Sequence, residues 1–306
     1  MNKVTVNKLQ TLRGHNDAIY TLIGFDESHF LSGAGDGMVA MWDLAQPENG
    51  QLIAKVPASV YALAYEPGSG QLIVGQNFEG IHYIDVATKT ETNSLKINDK
   101  AIFDLQFMGD KLLVGTGTGE VVVVDWKKNV IVHRLELTTV SARTIAVHPS
   151  GSEFAVGYSD HSIRIFDGEK IQLKKEIKSH TNSVFTLKYS PDGKLLLSAG
   201  RDAHLKIWEV DATYDLAEDI VAHMYAINNI HFSPNGKHFV TCSMDKSIKV
   251  WDASAFKLLK VIDKARHAGH GTSVNKLYWS PFEDQLVSCS DDRTISIWDI
   301  KFERKL

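Results

Sequence analysis

The chain has 306 residues, of which 43 % are hydrophobic and 23 % charged, and its formal net charge is −4. This composition is typical of a soluble globular protein and excludes collagen, a coiled coil and a disordered chain, while the length allows two ordinary domains or one large all-β domain. The negative charge disfavours a nucleic-acid partner, and no apolar run approaches the ~20 residues that would span a membrane. The two cysteines, Cys242 and Cys289, are too few for a disulfide framework, and residues 1–10 lack a secretory signal, so we predict a cytoplasmic location.

Taken in chain order, the predicted elements are one strand followed by seven similar repeats. Residues 3–12 alternate polar and apolar, as a strand does. Seven segments then end alike, with spacings of 42, 40, 42, 42, 43 and 47 residues, at Trp42, Ile84, Val124, Phe166, Trp208, Trp251 and Trp298. A period of about 40–45 residues is that of four-stranded propeller blades, so the spacing predicts seven blades.

The fifth repeat shows the strand pattern most clearly. Apolar-alternating runs at 184–189, 195–198 and 205–208 are separated by Pro191-Asp192-Gly193 and by Gly200-Arg201-Asp202. Proline fixes φ and glycine accepts positive φ, so these tripeptides predict tight turns between strands. We see no linker and predict a single domain over 1–306, with approximate repeats at 13–56, 57–98, 99–138, 139–178, 179–221, 222–266 and 267–306.

Four repeats share a histidine, a hydroxyl residue, an aspartate and a tryptophan, with the hydroxyl four residues before the aspartate and the aspartate six before the tryptophan. These sets are His15, Ser32, Asp36 and Trp42; His180, Ser198, Asp202 and Trp208; His223, Thr241, Asp245 and Trp251; and His270, Ser288, Asp292 and Trp298. The chain thereby resembles the WD40-repeat family over nearly its whole length, which implies an all-β, seven-bladed propeller. A set repeated four times at one structural position is a buried hydrogen-bond network and not a catalytic triad.

The second to fourth repeats depart from this pattern. The second has Val56, Val74 and Phe78 at the polar positions, and the third has Asn98, Val114 and Thr118. The fourth keeps Asp160, with Phe166 at the tryptophan position. We predict that apolar packing holds these three blades together.

Ring closure can be predicted from the two ends of the repeat array. Only seven residues follow Asp299, too few to turn back and add an outer strand. The predicted strand at 3–12 would supply the missing strand of the last blade, and the resemblance implies the same closure.

The resemblance also implies a set of contact positions on the propeller's top face, around the channel mouth. Residues five after the histidine position, together with those just before the blade aspartate, give the predicted partner-binding residues Tyr20, Tyr61, Phe103, Arg143, Phe185, Arg201, Asn228, Met244, Asn275 and Asp291, with Asn77 and Ser159 at the matching places in the weaker repeats. Aromatic and arginine side chains are common binding anchors, so we predict a protein or peptide partner, with an acidic or phosphorylated side chain as one option. The alternative is that the aromatic side chains only fill the ring between blades.

We predict no cofactor, no metal and no catalysis, and a chain that is monomeric on its own. The run 115–119 is glycine-rich but lacks the spacing and lysine of a phosphate-binding loop. His267 and His270 lack accompanying ligands, and the cysteines sit at tight inner positions as inert thiols. The alternative function is a metal-dependent hydrolase or lactonase at the channel mouth, for which Asn228, Asn275 and Asp291 would be the candidate ligands.

Overall fold

The computed structural model describes residues 3–178 and 180–303, which form seven four-stranded antiparallel sheets. The prediction of a seven-bladed all-β propeller is confirmed. The strands are, in chain order, β1 (Lys3–Arg13), β2 (Ile19–Gly24), β3 (His29–Ala34), β4 (Met38–Asp43), β5 (Gln51–Lys55), β6 (Val60–Glu66), β7 (Gln71–Gln76), β8 (Gly80–Asp85), β9 (Thr90–Lys96), β10 (Ile102–Met108), β11 (Lys111–Thr116), β12 (Val121–Asp125), β13 (Val130–Leu135), β14 (Ala142–Val147), β15 (Glu153–Tyr158), β16 (Ser162–Asp167), β17 (Leu173–Lys178), β18 (Val184–Tyr189), β19 (Leu195–Gly200), β20 (His204–Glu209), β21 (Leu216–Val221), β22 (Ile227–Phe232), β23 (His238–Ser243), β24 (Ile248–Asp252), β25 (Leu258–Ile262), β26 (Val274–Trp279), β27 (Leu286–Ser290) and β28 (Thr294–Glu303).

Blades one to six are the successive groups of four strands from β2 to β25, and blade seven contains β26, β27, β28 and β1. The first strand of the chain therefore pairs with the last strand. β1 is antiparallel to β28 from Lys3↔Glu303 to Arg13↔Thr294. The predicted ring closure is confirmed. Because closure joins the two ends of the array, it leaves no open edge between the last blade and the first.

The core is divided among the contacts between blades. The buried apolar residues form seven clusters, and each cluster contains side chains from two neighbouring blades. In the contact between blades seven and one, for example, Leu12 of the closing strand packs with Ile19 and Trp42. Both faces of every sheet are thus buried against a neighbour, which leaves the inner-strand edges, the outer strands and the loops as the surfaces free to act.

Every inner strand is irregular at the same place. The pairing of the inner strand with the second strand shifts register between its first and third residues in all seven blades. A β-bulge redirects the side chain that it releases from the ladder. The seven bulge residues are Tyr20, Tyr61, Phe103, Arg143, Phe185, Asn228 and Asn275.

Among the described residues, helical structure is confined to two short segments that flank β26, the α-helix α1 (Lys264–His267) and the 3₁₀ turn Phe282–Asp284. In the part of the chain that the structure describes, no helix has the length and apolar character needed to cross a membrane.

Candidate functional site

Each of the four polar networks joins the loop before the inner strand to the second and third strands of its blade. The same hydrogen bonds recur in all four networks. In blade five, His180 Nδ1 lies 2.8 Å from an Asp202 carboxylate oxygen, and its Nε2 lies 2.7 Å from Ser198 Oγ. The Trp208 ring N–H donates to the same hydroxyl oxygen at 2.8 Å. The equivalent atoms of blades one, six and seven make the same contacts at 2.7–3.3 Å.

The aspartate of each network also accepts hydrogen bonds from the backbone. Asp202 receives the N–H groups of Thr181 and His204, so one carboxylate joins the loop before the inner strand to the turn before the third strand. Burial opposes the ionisation of Asp202, but the hydrogen bond and charge of His180 outweigh it and lower the pKa of Asp202 to about 2. In blade six, burial lowers the pKa of His223.

The blades without the network are held by different contacts. In blade two, Val56 and Val74 belong to the apolar cluster shared with blade one. In blade three, Asn98 donates to Thr118 Oγ1 at 3.2 Å, so this blade contains a polar pair where apolar packing was expected. The residue types at 98 and 118 carry this signal, but their distance along the chain hides it.

Blade four has an ionic arrangement of its own. The Arg164 Nη2 atom lies 2.9 Å from Asp160 and 3.0 Å from Glu176, and its guanidinium lies 4.4 Å from the centre of the Tyr158 ring. This arginine therefore links the third strand both to the turn that precedes it and to the outer strand.

Five of the seven bulge residues form a continuous row of contacts around the channel mouth. The ring centres of Tyr20 and Tyr61 are 4.6 Å apart, and those of Tyr61 and Phe103 are 6.0 Å apart. The guanidinium of Arg143 then lies between two rings, 4.4 Å from the centre of Phe103 and 5.2 Å from that of Phe185. We call these five residues, from Tyr20 to Phe185, the aromatic ladder.

The ladder is only partly buried and its arginine is poorly neutralised. All five side chains keep an intermediate exposure, and all five line the channel. Arg143 Nε donates to Ser159 Oγ at 3.3 Å, which is a neutral partner. Burial lowers the pKa of Arg143, and the positive charge of Arg201 acts in the same direction. An anion arriving at this place would relieve both effects.

The remaining bulge residues bind the ring to itself. Asn228 Nδ2 donates to the Val274 carbonyl at 2.8 Å, and Asn275 Nδ2 donates to the Ile19 carbonyl at 2.9 Å and to Asp291 at 2.8 Å. Each asparagine thus spans two blades. Three of the predicted binding residues, Asn228, Asn275 and Asp291, therefore have structural partners already.

The other predicted residues lie on the same face. Arg201 is exposed, and Met244 is 52 % exposed. Beside Met244, whose N–H donates to the Ala226 carbonyl, the loop residues Met224 and Tyr225 are 81 % and 62 % exposed. Sequence reasoning missed these two. The signal was present, because the other network repeats have a polar residue or glycine directly after the histidine.

Below the ladder, the inner strands enclose a channel with a cavity volume of about 720 Å³. Its wall includes all seven bulge residues together with Asp104, Lys188, His231 and Lys276.

Within 3–178 and 180–303, no group of three or more histidine, cysteine or acidic side chains is placed to hold a metal ion. The glycine-rich run lies at the turn between β11 and β12, where the Gly117 N–H donates to the Ala101 carbonyl. Both cysteines are fully buried, and burial raises the pKa of each thiol.

A second set of contacts that sequence reasoning missed joins neighbouring inner strands. Asp104 accepts the Ile145 N–H at 2.7 Å, Thr186 accepts the Ile230 N–H, and Asn229 accepts the Leu277 N–H. Each acceptor is the residue directly after the bulge residue.

Seven blades around an open channel, with four repeated polar networks and a closing N-terminal strand, define a WD40-type β-propeller. The chain belongs to the WD40-repeat family. The family described as "WD domain, G-beta repeat" matches residues 6–43, 130–167, 171–209, 216–252 and 261–299, which together are more than half of the chain.

The chain is also similar to curated proteins and to a solved structure. Serine-threonine kinase receptor-associated protein is 20 % identical over 201 residues in Gallus gallus and 22 % identical over 224 residues in Homo sapiens. These alignments cover 62 % and 70 % of this chain but only 55 % and 61 % of the relatives. WD repeat-containing protein SL1-17 of Schistosoma mansoni is 24 % identical, with 57 % of this chain and 72 % of that protein covered. The crystal structure of the WD40 propeller domain of Doa1 superposes with a TM-score of 0.85 at 19 % identity, covering 96 % of this chain and 97 % of that one, which shows the shared fold.

Proposed function

We propose that this protein is a non-catalytic binding module, which holds a peptide or protein segment on the top face of its propeller and thereby assembles a complex. Membership of the WD40 family supports a protein-binding role, and one relative is named for its association with a serine-threonine kinase receptor. We keep the cytoplasmic location and the monomeric state of the free chain as predictions from the sequence.

The aromatic ladder is the observation that carries this proposal. Half-buried aromatic rings offer large contact areas at a low cost in side-chain entropy, and arginine held between rings is preorganised for a partner. The ladder spans blades one to five, and Met224, Tyr225 and Met244 add an exposed apolar patch on blade six. A partner crossing the channel mouth would touch both.

The charges of the same surface favour an acidic or phosphorylated side chain in the partner. Arg143 and Arg201 are near enough for one to lower the pKa of the other, and neither has a carboxylate partner among the described residues. Arginine binds carboxylate and phosphate groups in a bidentate manner.

The non-catalytic part of the proposal is supported by the burial of the hydroxyl groups. Ser32, Ser198, Thr241 and Ser288 are all fully buried, and each already accepts a tryptophan N–H. A hydroxyl in this position cannot reach a substrate carbonyl.

The test is affinity capture from the source lysate with three proteins, quantified by mass spectrometry. They are the wild type, the top-face variant Arg143→Ala/Phe185→Ala/Arg201→Ala, and the variant Lys194→Ala/Lys237→Ala, which removes two exposed cations from the opposite loops. We expect the top-face variant alone to lose a partner, with thermal unfolding like that of the wild type. Equal capture by all three proteins would refute a top-face site.

A further inference from the structure

The channel wall carries a group of basic side chains that the top-face proposal does not use. Lys188, His231 and Lys276 lie on the inner strands of blades five, six and seven, and all three line the same cavity. Lys188 is enclosed by the ring, yet its side chain remains exposed to the space inside the channel. Burial within the ring lowers the pKa of Lys188, and the charge of Lys276 lowers it further. The two ammonium groups therefore repel each other across one enclosed space.

The two lysines have little compensation from the protein. Among the described residues, neither the Lys188 nor the Lys276 ammonium group makes a hydrogen bond or an ion pair. Asp104 is the one carboxylate in the described channel wall. Its oxygens already accept the N–H groups of Ile145 and Leu105, at 2.7 and 2.9 Å. Its weak attraction for Lys188 is therefore shared with three donors, the third being the amide of Gln106 at 3.1 Å.

The local charge is opposite to that of the whole protein. The formal net charge of the chain is −4, whereas the described channel wall holds Arg143, Lys188 and Lys276 against one aspartate. A channel with protein walls concentrates the field of its charges, because the walls have a lower dielectric constant than bulk water. Such a channel attracts a counter-anion, and a dianion neutralises both lysines at once.

His231 supplies the complementary hydrogen-bond acceptor. Burial and the charge of Lys188 lower the pKa of His231 to about 3, so the ring is neutral at pH 7. Its Nδ1–H donates to the Phe232 carbonyl at 2.8 Å. Nε2 is therefore an acceptor, and it has no hydrogen-bond partner in the described structure. A monohydrogen phosphate offers negative oxygens for two lysines and a hydroxyl for this nitrogen.

We propose that the channel wall formed by Lys188, His231 and Lys276 binds a dianionic, tetrahedral oxyanion of the phosphate type. The ligand is inorganic phosphate or the phosphomonoester group of a small molecule, since the cavity of about 720 Å³ has room for either. This site lies on the wall of the same channel, on three side chains that the top-face proposal does not use.

The experiment is a titration with inorganic phosphate, followed by isothermal calorimetry and by the thermal unfolding midpoint, with sodium chloride at matched ionic strength as the salt control. We expect saturable binding of phosphate and a rising midpoint in the wild type. In Lys188→Gln/Lys276→Gln the affinity should fall by about tenfold for each lysine removed. The matched control, Lys96→Gln/Lys237→Gln, removes two exposed lysines outside the channel and should bind like the wild type.

Two further arms keep the test decisive. Lys188→Arg/Lys276→Arg retains both charges and should retain saturable binding, and the single variant Lys276→Gln replaces the double variant if that chain does not fold. Repeating the titration with O-phosphoserine separates the two ligand sources: tighter binding than phosphate identifies a phosphomonoester, and weaker binding identifies the free ion. Equal affinities in the channel variant and its control, or a response no larger than that to chloride, would overturn the proposal.

Discussion

The blades fall into two groups that share one architecture but are stabilised by different means. The first group consists of blades one, five, six and seven, and the second consists of blades two, three and four. In the first group, a histidine, a hydroxyl, an aspartate and a tryptophan form one buried network in each blade. In the second group, the contacts differ from blade to blade: an apolar cluster around Val74, the Asn98–Thr118 pair and the ion pairs of Arg164. The WD40 family matches follow this division only in part: they leave residues 44–129 uncovered, but they include the strands of blade four within 130–167 and 171–209.

The division also runs through the proposed binding surface. Tyr61, Phe103 and Arg143, the centre of the aromatic ladder, come from the three blades without the network. Blades one and five, which contain the network, provide the two ends of the ladder, and blade six provides the exposed patch of Met224, Tyr225 and Met244. In blades six and seven, the bulge residues Asn228 and Asn275 join neighbouring blades instead.

Removing residues 3–12 should have the largest effect on stability. This deletion tests whether the networks hold the blades individually or whether ring closure holds all of them. The closing strand buries Val4, Val6 and Leu12, worth about 5–9 kcal/mol at ~1.5–3 kcal/mol for each side chain. That loss is comparable to the ~5–15 kcal/mol stability of a typical domain, so we expect all seven blades to unfold. Far-UV circular dichroism and urea unfolding measure this directly.

Two point variants control for an unspecific effect of altering the strand. Val6 is buried and its neighbour Asn7 is exposed, so Val6→Asp should destabilise by several kcal/mol and Asn7→Asp hardly at all. A shortened chain with a cooperative transition near that of the wild type would show that the networks suffice without closure.

Much of the fold could be predicted from the sequence because its signals are local and repeated. The tryptophan spacing indicates seven blades, and the alternating segment at 3–12 indicates the closing strand. The ladder positions followed from one fixed offset after the histidine position. An offset, however, does not distinguish Tyr61, which packs against rings, from Asn275, which donates to a carbonyl of the next blade.

What the sequence does not indicate depends on contacts between blades. Asp104 accepts an N–H from a strand 41 residues further along the chain, and nothing near either residue indicates this bond. The same holds for the channel, because Lys188 and Lys276 look like ordinary surface lysines until the ring brings their strands together. Exposure of Met224 and Tyr225 likewise depends on how the loop of blade six is held.

A smaller loss of stability should distinguish the two kinds of blade contact. The comparison uses one aspartate from a network blade and one from blade four. Asp202→Ala leaves the buried His180 Nδ1 and two backbone N–H groups without a partner, so it should cost about 1–3 kcal/mol. Asp160→Ala removes the acceptor of the Ser162 hydroxyl and N–H but leaves Arg164 still paired with Glu176 at 3.0 Å, so it should cost about 1 kcal/mol, at the low end of that range. Urea unfolding of both variants measures the difference. Equal costs would mean that the repeated network contributes no more than an ordinary ion pair.

Mild acid should produce the smallest effect, and it should act on the blades that contain buried histidines. Burial lowers the pKa of His15, His223 and His231, the last to about 3, so the His231 ring is neutral in the folded chain at pH 5. The unfolded chain takes up protons near pH 6.5, and stability therefore falls as the pH drops below that value. For His231 alone we expect a loss of about 1–2 kcal/mol between pH 7.5 and 5, after allowing for water in the channel. Asp202, with a pKa of about 2, contributes to acid sensitivity only below about pH 4, so it does not mask this slope.

Urea unfolding of the wild type and of His231→Gln at both pH values measures the effect. The same loss of stability in both proteins would show that His231 is not held neutral in the channel.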